Sequence, residues 1–125
     1  MLLTYLDQAN AVRRQQADRY ETALADTALT LPTEVLYARH AYHLYVVRTP
    51  ERDALRAHLD RLGVQTQIHY SVPVHLQPAY TRLGYAKGAF PNAERACAEV
   101  VSLPLNPGLL EPDQQRVIDA VRAFK

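Results

Sequence analysis

The sequence contains no tryptophan, one cysteine and two lysines, and its net charge is only +1. Because Cys97 is alone, no disulfide can form within the chain, which favours a reducing compartment, and we expect a cytoplasmic protein. No apolar run approaches the roughly 20 residues that span a bilayer, so no membrane partner is expected. The near-zero charge gives no electrostatic reason to expect a nucleic acid as partner.

The scarce reactive side chains are poorly placed for catalysis. Lys87 lies in a polar turn and Lys125 ends the chain, so neither is expected to be buried as a Schiff-base lysine requires. The four glycines form no phosphate-binding loop, and Ser71 and Ser102 lack the surroundings of a serine nucleophile. Cys97 follows alanines on a helical segment and is predicted to be a buried thiol. We therefore expect no catalytic residue in this chain.

Five histidines raise the question of a metal site. His40 and His43 are close in sequence, as are His69 and His75, but no cysteine or carboxylate completes a tetrahedral set at a local spacing. Packed or hydrogen-bonded histidine is therefore the preferred interpretation, and no metal is expected. His58 lies between two leucines of a helical segment and is predicted to be on the surface.

The N-terminal pattern predicts a long amphipathic helix over residues 1–25, followed by a connector over residues 26–39. Its apolar positions are Leu2, Leu3, Leu6, Ala9, Val12, Tyr20, Ala23 and Leu24. The apolar face starts at the first residue, with no capping side chain ahead of it. This suggests a docking surface or a chain cut from something longer.

Residues 41–48 are rich in Tyr, Leu and Val and predict a strand covered on both faces. Thr49 as N-cap and Pro50 at the first helical position then begin a helix. Leucines at helical spacing follow, and Gly63 occupies the position of a left-handed C-terminal residue. Residues 64–68 predict a second, short strand.

The C-terminal half predicts a short helix over residues 78–83, a turn over 84–90 and a helix over 91–100 with Asn92 as an early cap. A short apolar strand over residues 100–105 is broken by Pro104. Pro112 then opens a final helix with one apolar stripe, formed by Val117, Ile118, Val121 and Phe124. The predicted fold is α+β, a small antiparallel or mixed sheet with packed helices, preceded by the long N-terminal helix.

A polar and aromatic loop over residues 63–80 is the strongest candidate for a binding site. It holds His69, Tyr70, His75, Gln77 and Tyr80 around Pro73 and Pro78. Prolines fix φ and stiffen the loop, so it can present these side chains at low entropic cost. The alternative is that both tyrosines are core aromatics and the prolines merely end secondary structure.

Seven segments resemble, in the same order, the C-terminal part of the DegT/DnrJ-type sugar aminotransferases. They are HLYVVR at residues 43–48, RDAL at 52–55, GVQTQIHY at 63–70, PVHLQPAY at 73–80, LGY at 83–85, FPNAE at 90–94 and SLPL at 102–105. The first helix also resembles the family's long helix between its large and small domains. The similarity covers nearly the whole chain.

The resemblance implies a fold-type I small domain over residues 26–125, joined by the helix of residues 1–25 to a large domain. It implies that His69 and Tyr70 contact substrate or cofactor, and that His75 and Gln77 shape a nucleotide-sugar site. In this family pyridoxal phosphate carries an amino group from a donor, expected to be glutamate, to a keto sugar.

The resemblance also implies that part of the enzyme is missing. The Schiff-base lysine, the aspartate facing the pyridine nitrogen and the phosphate-binding residues would lie before Met1. We therefore expect a catalytically incomplete chain that binds no cofactor covalently and needs a missing large domain, or a homo-oligomer through the first helix. The alternative is a non-catalytic module that retains the fold for nucleotide-sugar binding or oligomerisation.

Overall fold

The computed structural model describes residues 3–124, which form four α-helices, three short 3-10 helices and a pair of strands. In chain order the elements are a 3-10 helix Leu3–Tyr5, α1 Leu6–Leu24, β1 Tyr45–Arg48, α2 Arg52–Arg61, 3-10 helices Val74–Leu76 and Pro78–Leu83, α3 Pro91–Glu99, β2 Val100–Leu103 and α4 Glu111–Arg122. The predicted α+β class is confirmed: a long N-terminal helix precedes a small antiparallel sheet with packed helices.

The sheet consists of β1 paired antiparallel with β2, with Tyr45 opposite Leu103. A backbone bridge adds to each outer edge, Thr30 pairing with Arg48 and Gln67 with Ser102. These bridges satisfy backbone groups that an edge strand would otherwise leave to solvent. The sheet therefore holds four separate parts of the chain together.

All three predicted strands are shorter than expected, and the one predicted to reach Leu105 ends at Leu103. Residues 41–44 are not part of β1, and Tyr42 has a positive φ of 46° that no strand residue adopts. Its backbone N–H donates instead to Nδ1 of His40 at 2.8 Å, which turns the chain before the strand. The predicted strand over residues 64–68 is reduced to the single bridge at Gln67, because that residue alone exchanges backbone hydrogen bonds with β2.

Helix α2 begins at Arg52, so the prediction of Thr49 as N-cap and Pro50 as first helical residue is wrong, and Glu51 occupies the N-cap position. Thr49 accepts a hydrogen bond from the Glu51 backbone N–H at 3.2 Å, so its hydroxyl caps the turn that leads into the helix, while Pro50 lies in that turn. At the other end Gly63 has the predicted positive φ of 74°. Its neighbour Val64 donates to the carbonyl of Leu59 at 2.9 Å, which completes a Schellman-type termination.

The core lies where the C-terminal half of α1, α2 and α4 pack against the sheet. Tyr20 is fully buried, packs in a tilted arrangement against Tyr45 with ring centroids 4.9 Å apart, and donates its hydroxyl hydrogen to the Pro104 carbonyl at 2.7 Å. Burial raises the pKa of both tyrosine hydroxyls, so both stay neutral. Gln114 of α4 donates to the Gln16 carbonyl at 2.7 Å and ties α4 to α1.

Helix α1 is buried on one half only. Its buried residues lie from Gln16 onward, whereas Leu3 and Leu6 are 85% and 40% exposed. Met1 and Leu2, part of the predicted helix and its apolar face, lie outside the described residues. The apolar pattern at the N-terminal end therefore faces solvent in this chain.

The connector after α1 is held by an ion pair. Both terminal nitrogens of the Arg14 guanidinium donate to Glu34, at 2.9 and 2.8 Å, and Arg14 also donates to the His40 carbonyl at 2.7 Å. The hydrogen bonds from Arg14, together with one from the His40 backbone N–H at 2.8 Å, lower the pKa of the Glu34 carboxyl to about 2. Leu36 and Tyr37, at the tip of the same connector, are almost fully exposed.

Three predictions about single residues are wrong. His58 is half-buried rather than on the surface, because its Nε2 lies 2.9 Å from the Ala120 carbonyl and its ring packs on Phe124. Cys97 is half-buried rather than buried. Asn92 does not cap α3, since it lies within the helix.

The last helix differs little from its prediction. It begins at Glu111, with Pro112 in the first turn as expected. Val117, Ile118 and Val121 are buried, which confirms the predicted apolar stripe.

Gly63→Ala tests the termination of α2. A Cβ at this positive φ should lower the free energy of unfolding by about 1–2 kcal/mol, measured by urea denaturation. Asn tolerates the left-handed region better, so the matched variant Gly63→Asn should lose about half as much. Equal stability of the Ala variant and the wild type would contradict the assignment.

Candidate functional site

The candidate site is the long segment between the Gln67 bridge and α3. Pro73 and Gln77 are both extended, with ψ near 145°, and each leads into a 3-10 helix. Pro78 then occupies the first turn of the second 3-10 helix. This helix spans residues 78–83, as predicted. The prolines thus set the path of a loop that is anchored to the sheet at one end and to α3 at the other.

Two of the predicted site residues lie on the outer surface of this loop. His69 is exposed, and its Nδ1 lies 2.9 Å from the hydroxyl oxygen of Ser102 in β2. A cis peptide bond joins His69 to Tyr70, whose side chain is 76% exposed. Both rings are therefore available to a ligand, with the imidazole tied to the sheet.

The other two predicted residues face the interior of the loop. His75 is 9% exposed, its Nε2 lies 3.0 Å from a carboxylate oxygen of Glu94, and its ring packs against Phe90 with centroids 4.8 Å apart. Gln77 is half-buried and donates from its side-chain amide to the Val72 carbonyl at 3.3 Å. The four predicted residues thus share one loop but form an outer and an inner pair.

Glu94 organises this loop, although its role was not predicted from the sequence. Its carboxylate accepts hydrogen bonds from the Gly88 backbone N–H at 2.8 and 2.9 Å and from the Phe90 N–H at 3.3 Å, in addition to contacting His75. The Gly88 N–H is the main reason that the pKa of Glu94 lies below its ordinary value. An ionised carboxylate only accepts hydrogen bonds, so Nε2 of His75 carries the proton. The sequence signal that could have revealed this role is the position of Glu94, an acidic residue in the first helical turn after Pro91.

The loop exposes seven large apolar side chains. We call this surface the 70–90 face; it consists of Tyr70, Val72, Val74, Tyr80, Leu83, Tyr85 and Phe90, each between 39% and 76% exposed. Tyr70 and Tyr80 are therefore not core aromatics, and the alternative interpretation of the loop is wrong in that respect. Clustered exposed apolar residues are typical of interaction surfaces.

The described residues do not complete a pyridoxal-phosphate site. Lys87 is exposed in the turn before α3, and Lys125 lies outside the described residues, so the described part offers no buried lysine for a Schiff base. Residues 3–124 also contain no group of three or more His, Cys, Asp or Glu side chains arranged to hold a metal ion. Within the same range, no helix combines the length and the apolar character needed to cross a membrane.

The fold matches part of a known class of enzyme, the sugar aminotransferases. The crystal structure of DesV from Streptomyces venezuelae superposes with a TM-score of 0.95 and 43% identity, over 98% of this chain and 33% of that one. A transaminase of the same organism, named for dTDP-3-amino-3,4,6-trideoxy-alpha-D-glucose, is 44% identical over 98% of this chain and 32% of its own length. The erythromycin biosynthesis sensory transduction protein EryC1 of Saccharopolyspora erythraea is 46% identical over 97% of this chain and 33% of its own.

Residues 1–122 match the profile of the DegT/DnrJ/EryC1/StrS aminotransferase family, and the chain belongs to that family. The resemblance found in the sequence motifs is thereby confirmed. The chain spans about a third of the length of the relatives it matches. The family depends on pyridoxal phosphate, and structural neighbours of this chain have been solved in forms with this cofactor and with its aminated form, PMP.

Glu94→Gln tests the role of this carboxylate in the loop. The variant loses the charged acceptor, so hydrogen exchange at the Gly88 and Phe90 amides should accelerate about tenfold or more. Exchange measured by NMR or mass spectrometry checks this. Glu21→Gln, an exposed position on α1, is the control and should leave both amides unchanged.

The same variant has an expected pH dependence. The folded pKa of Glu94 is lowered from 4.5, so its stabilisation is fully present above that value and is lost as pH falls through the folded pKa. The difference in stability between the wild type and Glu94→Gln should therefore shrink on acidification from pH 6 to pH 3, as followed by urea denaturation. A constant difference would contradict this role.

Proposed function

We propose that this chain is the C-terminal part of an aminotransferase that transfers an amino group to a keto nucleotide-sugar. The observation that carries the proposal is its similarity, over 98% of its length, to a transaminase named for a dTDP-linked amino sugar. The motifs at residues 63–70 and 73–80 lie along a loop that exposes an apolar and aromatic surface, the 70–90 face. Amino-sugar or polysaccharide biosynthesis in the cytoplasm is the proposed setting.

In this proposal His69 and Tyr70 contact the substrate or the cofactor. Their exposure on the outer surface of the loop supports this, as does the hydrogen bond that ties His69 to β2. His75 and Gln77 shape the sugar-nucleotide site from inside the loop, and the contact of His75 with Glu94 supports that role. Pyridoxal phosphate, when bound to the complete enzyme, supplies the transfer chemistry, with glutamate as the proposed donor.

The proposed partner is a large domain that covers the 70–90 face. The support is that this chain spans about a third of its relatives and exposes apolar side chains on this loop and at the start of α1. We retain the proposed division into a linker helix over residues 1–25 and a small domain over residues 26–125. The large domain would supply the Schiff-base lysine and the phosphate-binding residues.

A second candidate function is a non-catalytic module that binds a nucleotide-sugar or oligomerises through the first helix. The exposure of Leu3, Tyr5 and Leu6 on that helix favours it. The genomic sequence upstream of Met1 separates the two proposals. A continuous frame that encodes the lysine segment supports the aminotransferase, and an independent start supports the module.

Treatment of the purified chain with pyridoxal phosphate and borohydride tests whether it is catalytically incomplete. We expect no stoichiometric lysine adduct by mass spectrometry, because Lys87 is exposed in a turn rather than buried as a Schiff-base lysine requires. Lys87→Arg is the control for nonspecific labelling. A stoichiometric adduct that disappears in Lys87→Arg would overturn the proposal.

A chimera tests the function itself. This chain should replace the matching third of the S. venezuelae transaminase and retain amination of that enzyme's own keto sugar, measured by mass spectrometry of the product. In the chimera His69→Gln and Tyr70→Ala should each lower kcat/KM by about 10- to 100-fold, the effect of losing one or two ligand contacts. Ser71 is exposed and lies between the motifs at residues 63–70 and 73–80, so Ser71→Ala is the control and should leave kcat/KM unchanged. A folded chimera without activity would contradict the aminotransferase proposal.

A further inference from the structure

We propose that Ser102 positions His69 and fixes its protonation pattern, so that the imidazole presents Nε2–H as a hydrogen-bond donor to an oxygen atom of the bound sugar nucleotide. This inference deepens the proposed function and rests on it for the identity of the ligand. Ser102 and His69 both belong to this chain, so their pairing can be tested without a large domain.

The hydroxyl of Ser102 is held in a fixed place. Ser102 is 5% exposed and lies in β2 opposite Val46. On its other side it exchanges backbone hydrogen bonds with Gln67, at 2.8 and 3.3 Å. The strand therefore determines where the hydroxyl lies, and Nδ1 of His69 is 2.9 Å from it. The rigid sheet thus supplies an anchor for a side chain on the exposed loop.

The direction of this hydrogen bond follows from the donors and acceptors available. Within residues 3–124 the Ser102 hydroxyl has one hydrogen-bond partner, Nδ1 of His69. If the imidazole donated, the hydroxyl hydrogen of a buried serine would have no acceptor among these residues, which is unfavourable. The hydroxyl therefore donates to Nδ1, and the proton of the neutral imidazole lies on Nε2.

The consequence for a ligand is a donor with a defined orientation. The His69 side chain is exposed, and Nε2 makes no hydrogen bond within the described part of the chain. In a neutral imidazole whose Nδ1 accepts a hydrogen bond, Nε2 carries the hydrogen and can only donate it. Its partner on a ligand must therefore be an acceptor, such as a hydroxyl, phosphate or carboxylate oxygen. A nucleotide-sugar carries such oxygens on its sugar and on its diphosphate.

The pairing is tested by NMR on the 125-residue chain labelled with 15N-histidine, at a pH where its histidines are neutral. In the wild type we expect an unprotonated Nδ1 and a protonated Nε2 for His69. Ser102→Ala should shift the Nδ1 resonance and raise the fraction protonated at Nδ1, and Ser102→Thr should restore the wild-type spectrum. Ser102→Cys keeps the volume with a weaker donor and should resemble the Ala variant. The exposed Ser71→Ala should change nothing.

A protonated Nδ1 in the wild type, or a His69 spectrum unchanged by both Ser102→Ala and Ser102→Cys, would overturn the proposal. A merely structural serine would alter the melting temperature but not the imidazole nitrogens selectively. This result does not depend on any enzymatic activity, so it separates failure of the pairing from failure of the proposed function.

A double-mutant cycle in the chimera then tests positioning. Ser102→Ala should lower kcat/KM about tenfold when His69 is present and have no further effect in His69→Gln. The same loss in both backgrounds would overturn the positioning role. An inactive chimera would instead count against the proposed function, while the NMR result would still decide on the pairing.

Discussion

The antiparallel pairing of Tyr45–Arg48 with Val100–Leu103 is the contact on which the rest of the molecule depends. It joins two distant parts of the chain, so α2, the site loop and α3 all lie within the closed segment between them. Closing such a segment costs entropy, which the buried aromatic and aliphatic side chains packed on the sheet offset. Without this pairing neither end of the site loop would have a fixed position.

Within that closed segment two histidines attach the loop to the framework, and Glu94 adds hydrogen bonds to its Gly88 and Phe90 N–H groups. His69 meets Ser102 on the sheet, and His75 meets Glu94 on α3. The backbone of the loop itself contributes only short 3-10 helices, which are weak structures in isolation. Side-chain hydrogen bonds to regular elements therefore give the loop its shape, and its apolar residues are left facing outward.

Features that depend on neighbouring residues could be predicted from the sequence, and features that depend on distant partners could not. The termination of α2 at Gly63 needs only the local backbone, so glycine at that spacing was a sufficient signal. The extent of strand at Gln67 depends on how far Ser102, which is distant in the sequence, can pair with it. Glu94 gathers partners from both sides of a turn, which no single periodicity reveals.

Helix α1 combines two environments along one continuous element. From Gln16 onward it is locked against α4 and the sheet, while Leu6 and the turn before it make little contact with the core. An isolated helical turn is marginal in water, because only propagation from an existing helix stabilises it. The amides of α1 should therefore open by two different processes, fraying towards the N-terminus and cooperative unfolding of the domain towards Leu24. A rigid rod would have a single opening free energy, whereas burial on only one half of this helix implies that the opening free energy rises along its axis towards Leu24.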